Sequence, residues 1–373
     1  MKNKNAVLKI LAELCRLLIG VVFIFSGFVK AVDPMGGAIK IGEYLASFGL
    51  DMLQPFTVLL SFNLSAIEFA LGVCMLLGVY RRYVSFLILI FMAFMTPLTL
   101  YLALFDPVSD CGCFGDALVI SNWETFFKNI VLSLAAIVTF IYNQRLFQCF
   151  TFRAYWFVAL YAYLFGVGFA YYNYNHLPVI DFRPYKIGAN IPKLMEMPEE
   201  APQDEYKYTF VYEKDGVKKE FSLEDYPAND SSWTFVDSKT ELVKKGYQPP
   251  VAAFNIYNGK GDDVTEEIIG NPGPVLLLVA PKLEEADDEQ MDEINGVYDY
   301  ALEHDIPFYC VTGSSPEAID TWSDNTGAEY PFRMADEVLL KTIIRSNPGL
   351  VLLKGGTTVS YTHLRAHETD QYL

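Results

Sequence analysis

The chain has 373 residues, 52% of them hydrophobic, and a net charge of −17. Residues 1–176 hold nine acidic and eleven basic side chains, whereas residues 177–373 hold 36 and 17. An apolar, slightly basic half joined to an acidic half implies a membrane domain followed by a water-soluble one. It argues against nucleic-acid binding, which needs a basic footprint.

Five segments are long enough to cross a bilayer, near Val7–Val32, Phe56–Val79, Tyr83–Phe105, Phe126–Tyr142 and Tyr155–Tyr174. The first follows Lys2 and Lys4, but its apolar run is too long for a signal peptide and lacks a small-residue cleavage site. It is therefore expected to be retained. Lys2, Lys4 and Lys9 stand at its start, Arg81 and Arg82 fill the next inner turn, and Arg145 and Arg153 lie between segments four and five. If every segment spans, these clusters share one face. The positive-inside rule makes that face cytoplasmic and puts the acidic half outside. Membrane lipid is the implied surround. Gly20 and Gly27 in the first segment, with Gly72 and Gly78 in the second, suit close helix contacts.

Between segments three and four runs Asp110-Cys111-Gly112-Cys113-Phe114-Gly115-Asp116, holding two of the six cysteines. Adjacent Cα atoms lie about 3.8 Å apart, so a CxC turn can reach the about 4.4–6.8 Å that a disulfide needs. Gly112 permits the backbone so small a ring requires. On the outer face such a pair suits thiol–disulfide exchange with exported proteins, or serves as a permanent staple. Two thiolates could hold Cu(I) but lack the further ligands zinc wants, so no metal site is assigned. Asp110 and Asp116 are expected to raise the thiol pKa values by like-charge repulsion. Glu68 inside the second segment needs a partner, and Lys30 is the candidate, as a charge pair or a proton relay. Glu13 and Arg16, one turn apart, suit a local ion pair. Cys15, Cys74 and Cys149 read as packing or inert residues. The sequence has no His before His176, which rules out a His-ligated haem in the bundle core.

Past the fifth segment, 177–250 reads as a Pro-rich tether and a hairpin, Tyr206–Tyr212 and Val217–Phe221, turning at Asp215-Gly216. A second hairpin is expected from Ala253–Tyr257 through Asn258-Gly259-Lys260-Gly261 to Val264. Then come strand Val275–Ala280, helix Glu284–Glu303, strand Pro307–Thr312, helix Pro316–Gly327, helix Asp336–Ile344 and strand Leu350–Lys354, an α/β pattern.

Two resemblances follow from these residues. Residues 251–356 resemble a thioredoxin-fold domain of the extracytoplasmic peroxiredoxin/TlpA type, with Asn347-Pro348-Gly349 where that fold keeps a cis-proline. The usual CxxC is missing, because Ala280-Pro281-Lys282-Leu283-Glu284 occupies its place. Cys310, in a buried strand, reads as core. Residues 7–142 resemble the DoxX/MauE family of redox-associated membrane proteins. Arg16 with Gly20, Phe25-Ser26-Gly27-Phe28-Val29-Lys30, Glu68 with Gly72, Arg81-Arg82 and Cys111-Gly112-Cys113-Phe114-Gly115 carry the likeness.

The resemblances imply a four-helix bundle plus a fifth helix, then an α/β thioredoxin-like extracytoplasmic domain. The divisions are 1–150, 151–176, 177–250, 251–358 and a non-native tail, 359–373, because Ser360–Thr369 resembles translated adapter read-through. The implied role is disulfide formation or redox maturation of exported proteins at a bacterial plasma membrane, a thiol-disulfide oxidoreductase function at Cys111 and Cys113. No covalently bound cofactor is expected, a bound quinone is the candidate cofactor, and the sequence names no electron acceptor. The alternative is a non-catalytic scaffold subunit of a quinol oxidase-like respiratory or secretion complex, with a membrane partner in place of a client.

Overall fold

The computed structural model describes residues 2–106, 108, 110–198, 205–214, 217–222, 233–244, 249, 251 and 254–363. Helices α1 (Lys2–Val32), α2 (Pro34–Ser47), α3 (Thr57–Leu77), α4 (Arg81–Phe105), α5 (Asn122–Ile141) and α6 (Tyr155–Asn175) build the first half. Each of the five expected segments is a helix. Among the described residues four stretches are long and apolar enough to cross a membrane: Asp51–Leu77, Arg81–Phe105, Asn122–Ile141 and Phe152–Asn175. Helix α1 completes the bundle, though Lys9, Glu13, Arg16 and Lys30 interrupt it. Large apolar side chains such as Phe86, Leu87, Ile90 and Phe94 stand exposed along α4, as lipid contact requires.

Helix α2 was not anticipated. Asp33 ends α1 and caps α2 by accepting from Gly36 N–H at 2.9 Å, and Pro34 fits the first helical turn. The basic clusters do meet at one end of the bundle. There Arg81 donates to the Leu146 carbonyl, and Arg16 bridges Glu13 at 2.6 Å while also donating to the Leu76 carbonyl. Gly78 lies at that end with φ +67 and caps α3. It therefore does not mark a helix crossing, unlike Gly20, Gly27 and Gly72.

After a short helix, α7 (Ile191–Met195), strands β1 (Glu205–Lys214), β2 (Val217–Ser222) and β3 (Thr234–Lys244) form an antiparallel sheet in the order β2-β1-β3. The first expected hairpin is β1–β2; its Asp215-Gly216 turn lies outside the described residues. The second is short: the Tyr257–Asp263 bridge is flanked by Val264 N–H donating to the Ile256 carbonyl and Asn258 N–H donating to the Asp262 carbonyl, each at 2.9 Å. The Asn258 side chain accepts from Lys260 and Asp262 N–H and closes the turn, after which the chain enters α8 (Thr265–Ile269). Ala253 lies outside the described residues.

The α/β domain follows: β4 (Pro274–Ala280), α9 (Met291–Glu303), β5 (Phe308–Thr312), α10 (Pro316–Thr326), β6 (Phe332–Met334), α11 (Glu337–Ile343), β7 (Gly349–Lys354) and β8 (Thr357–His363). The sheet order is β6-β5-β4-β7-β8, with β4–β5 parallel and β4–β7 antiparallel. Central strand β4 explains its own apolar run. Val275, Leu277 and Val279 enter one core with Leu340 and Val351, while Leu276, Leu278 and Ala280 enter another with Ile294 and Trp322. The Asn347–Pro348 bond is cis.

The expected boundary at 359 falls inside a strand. Gly355 and Gly356, both at positive φ, turn the chain so that β8 pairs with β7 through His363, and Tyr361 is buried against Asp181 and Arg183. Residues 364–373 lie outside the described residues.

Candidate functional site

Helices α1 and α3 touch backbone to backbone at Gly27. A Cβ there would fall 2.4 Å from Phe69 N and 2.6 Å from Ser65 O. This approach sets Lys30 Nζ 2.7 and 2.9 Å from the two carboxylate oxygens of Glu68. Both side chains are buried, with 11% and 3% of their surface exposed. Ser26, one turn before Lys30, lies on the same face. Its hydroxyl is 2.6 Å from Glu68 Oε2 and 2.8 Å from the Cys113 carbonyl, with one proton to donate to either acceptor, and it accepts from Lys30 at 3.3 Å. The buried pair is thus connected to the CxC loop.

The loop itself is tied at both ends by Asn122, whose amide donates to Asp106 Oδ1 at 2.8 Å and to the Val108 carbonyl at 3.0 Å. Asp110 accepts from Gly112 N–H at 2.8 Å, Gly112 adopts φ +64, and Tyr44 of α2 donates to the Cys111 carbonyl at 2.7 Å. The two sulfurs end 2.8 Å apart. Cys111 is buried, with 7% exposed, and Phe114 packs edge-on against Phe25.

Their electrostatics differ from the expectation based on Asp110 and Asp116. Lys40 of α2 holds Asp110 at 3.0 Å, and Arg345 faces Asp116 at 3.6 Å, so neither carboxylate dominates the thiols. The Cys113 thiol is lowered, first by the hydrogen bond from Cys111, against burial, and with help from the Lys128 and Lys30 ammonium groups. That same hydrogen bond, then burial, pushes Cys111 up. Sequence reasoning missed Lys128 and Tyr44. Lys128 carried a signal, being a cation inside an apolar helix.

Two spaces adjoin the loop. A cavity of about 30 Å³ inside the bundle is lined by Ser26, Lys30, Glu68, Cys113 and Lys128, among others. A larger one, about 380 Å³, opens toward the α/β domain between Lys40, Asp110, Gly112, Asp116 and Arg345. Gly112 of the loop lines this larger space, whereas Cys111 and Cys113 do not. Arg345 bridges Asp33 at 2.6 Å and closes the far side. Beyond it a groove of about 1000 Å³ separates the bundle from Pro281, Lys282, Ser346 and Asn347.

Other expected positions are dispersed. Cys15 and Cys74 belong to the core at the basic end, Cys149 is exposed, and Cys310 is fully buried in β5, where burial raises its thiol. An apolar cleft of about 350 Å³ near Cys74, Tyr80, Tyr83 and Leu87 also lies at the basic end, away from the CxC loop. Among the described residues no three His, Cys, Asp or Glu side chains converge as metal ligands would.

Residues 8–142 match the family model of methylamine utilisation protein MauE. The matched stretch covers the bundle through α5, including the CxC loop and the Lys30–Glu68 pair. Residues 206–245, which carry β1 to β3, match a domain of unknown function, DUF8463. No curated protein matches the chain. A solved structure titled "Solution structure of a putative protein disulfide isomerase from Bacteroides thetaiotaomicron" aligns at 19% identity, covering 30% of this chain and 74% of that one, with a TM-score of 0.25.

Proposed function

We propose that this is a membrane redox protein of bacterial plasma membranes that exchanges a disulfide between Cys111/Cys113 and exported proteins. The observation that carries the reading is the 2.8 Å approach of the two sulfurs in a tied loop beside a buried Lys–Glu pair. The α/β domain lacks thiols at its own redox position and presents Pro281, Lys282 and Asn347 to the 1000 Å³ groove, which suits holding a client segment. The meeting of the basic clusters at the opposite end supports a cytoplasmic amino terminus and an extracytoplasmic α/β domain. A membrane quinone has the chemistry to restore the disulfide, accepting two electrons and two protons from the dithiol. The likeness of residues 8–142 to a methylamine utilisation protein supports the membrane assignment and names no client.

The burial of Cys111 favours a second reading, in which the pair is a staple and the molecule a scaffold subunit of a respiratory or secretion complex. Trapping separates the two. In spheroplasts carrying Cys113→Ser, exchange predicts mixed disulfides formed as the lone Cys111 thiolate attacks a disulfide of an exported protein and releases one of its thiols, an adduct that Cys113 can no longer resolve and that a membrane-impermeant reductant cleaves. It also predicts more free thiols on exported proteins in the Cys111→Ser, Cys113→Ser double variant. An unchanged thiol profile and no adduct would favour the scaffold.

A further inference from the structure

The two sulfurs do not share one environment. Cys113 lines the 30 Å³ cavity in the bundle and Cys111 does not. That cavity exceeds the about 10–15 Å³ needed for a single water. Its charged lining is two cations, Lys30 and Lys128, against one carboxylate, Glu68. Lys30 and Glu68 are already matched at 2.7 Å, so a second ammonium remains that an anionic sulfur would balance. Lys128 is held in place by the Phe114 ring, with Nζ 4.2 Å from its centroid, and Phe114 directly follows Cys113. The groups facing the pair are Ser26 and Lys30 from α1, Tyr44 from α2, Glu68 from α3 and Lys128 from α5.

We infer that Lys128 is a positioning residue for the exchange, keeping the Cys113 sulfur as the departing and returning anion while Cys111 bonds to the client. The inference rests on the exchange reading. A client thiolate attacks Cys111 Sγ, the Cys111–Cys113 bond breaks, and Cys113 leaves with the electron pair as a thiolate beside Lys128. The client's second thiol then gives up its proton and attacks the client sulfur of the mixed disulfide. Cys111 leaves and takes that proton. The client has lost two electrons and the CxC pair has gained them, with no further oxidant in this half. The lowered Cys113 thiol agrees with this division, since the better leaving sulfur is the one of lower pKa.

The test is a thiolate absorbance titration of the purified, reduced full chain, read as the difference from Cys113→Ser, which needs no reagent to enter the cavity. In the native chain the Cys113 transition is expected below that of Cys111. Lys128→Met should move it up by about one unit, the scale of a neighbouring charge, and Lys128→Arg should restore it. A Cys113 transition above that of Cys111, or one unmoved by Lys128→Met and by Lys128→Gln, overturns the inference. Client adducts are not read here. Their absence in the trapping experiment would sink the exchange reading alone, while an unshifted titration would sink only the role of Lys128.

Discussion

Lys30 and Glu68 bury opposite charges on facing helices, and each depends on the other for compensation. Replacing one alone with Leu strands a buried charge, at a cost of about 3–5 kcal/mol. Replacing both should return much of that loss, so thermal unfolding of Lys30→Leu, Glu68→Leu and the double variant should be strongly non-additive. Additive losses would mean the contact is not formed. The pair was legible in the sequence because two intramembrane charges at matching depth have few alternatives. Ser26, which connects them to the Cys113 carbonyl, is a small hydroxyl like many others and carried no such signal. The expected effect of Asp110 and Asp116 failed for a related reason. Their counter-ions Lys40 and Arg345 come from α2 and from the α/β domain, elements whose placement the sequence does not reveal.

Between elements, the tightest constraint is the crossing of α1 and α3. Gly27→Ala would push a methyl into the backbone of Phe69, and because backbone cannot yield as a side-chain end can, the helices must separate. Overpacking of this kind costs about 1–3 kcal/mol. The variant should lower the unfolding temperature and widen the Lys30–Glu68 contact; an unchanged midpoint would argue against the close crossing. The long helices were readable from apolar length alone, and β4 from its unbroken run. The expected helix Glu284–Glu303 is broken, since Asp287 N–H bonds the Asn347 carbonyl and its side chain accepts from Glu289 N–H, leaving α9 to start at Met291. Strand β6, three residues long, depends on its pairing with β5 and had no local pattern. Helix α2 did carry a local start signal, Asp33 followed by Pro34, which the apolar segment count passed over.

At the scale of the molecule, Arg345 joins the halves through Asp33 and Asp116. Burial works to raise the Asp33 carboxyl, but Arg345 and the Gly36 N–H outweigh it and hold it below the usual range. A depressed carboxylate stabilises the folded contact above its unfolded value, about 3.9, and that contribution is lost as pH falls through the folded value. Asp116, raised by burial, should give up its share first. Acidification below about pH 4 should therefore loosen the α/β domain from the bundle, read as faster proteolysis of the chain joining α6 to α7. Arg345→Gln should show the same looseness at neutral pH. Equal cleavage of native and variant chains would show that the ion pair does not hold the domain.

The separation of Asp33 from Arg345 along the chain also has a bearing on synthesis. The bundle and its CxC loop leave the ribosome long before Arg345 does, and domains generally fold in that order. During that interval Asp33 and Asp116 face water without their guanidinium, and the groove above them is open to any passing chain. The groove between the bundle and the α/β domain is thus accessible in the newborn molecule before it takes its finished form.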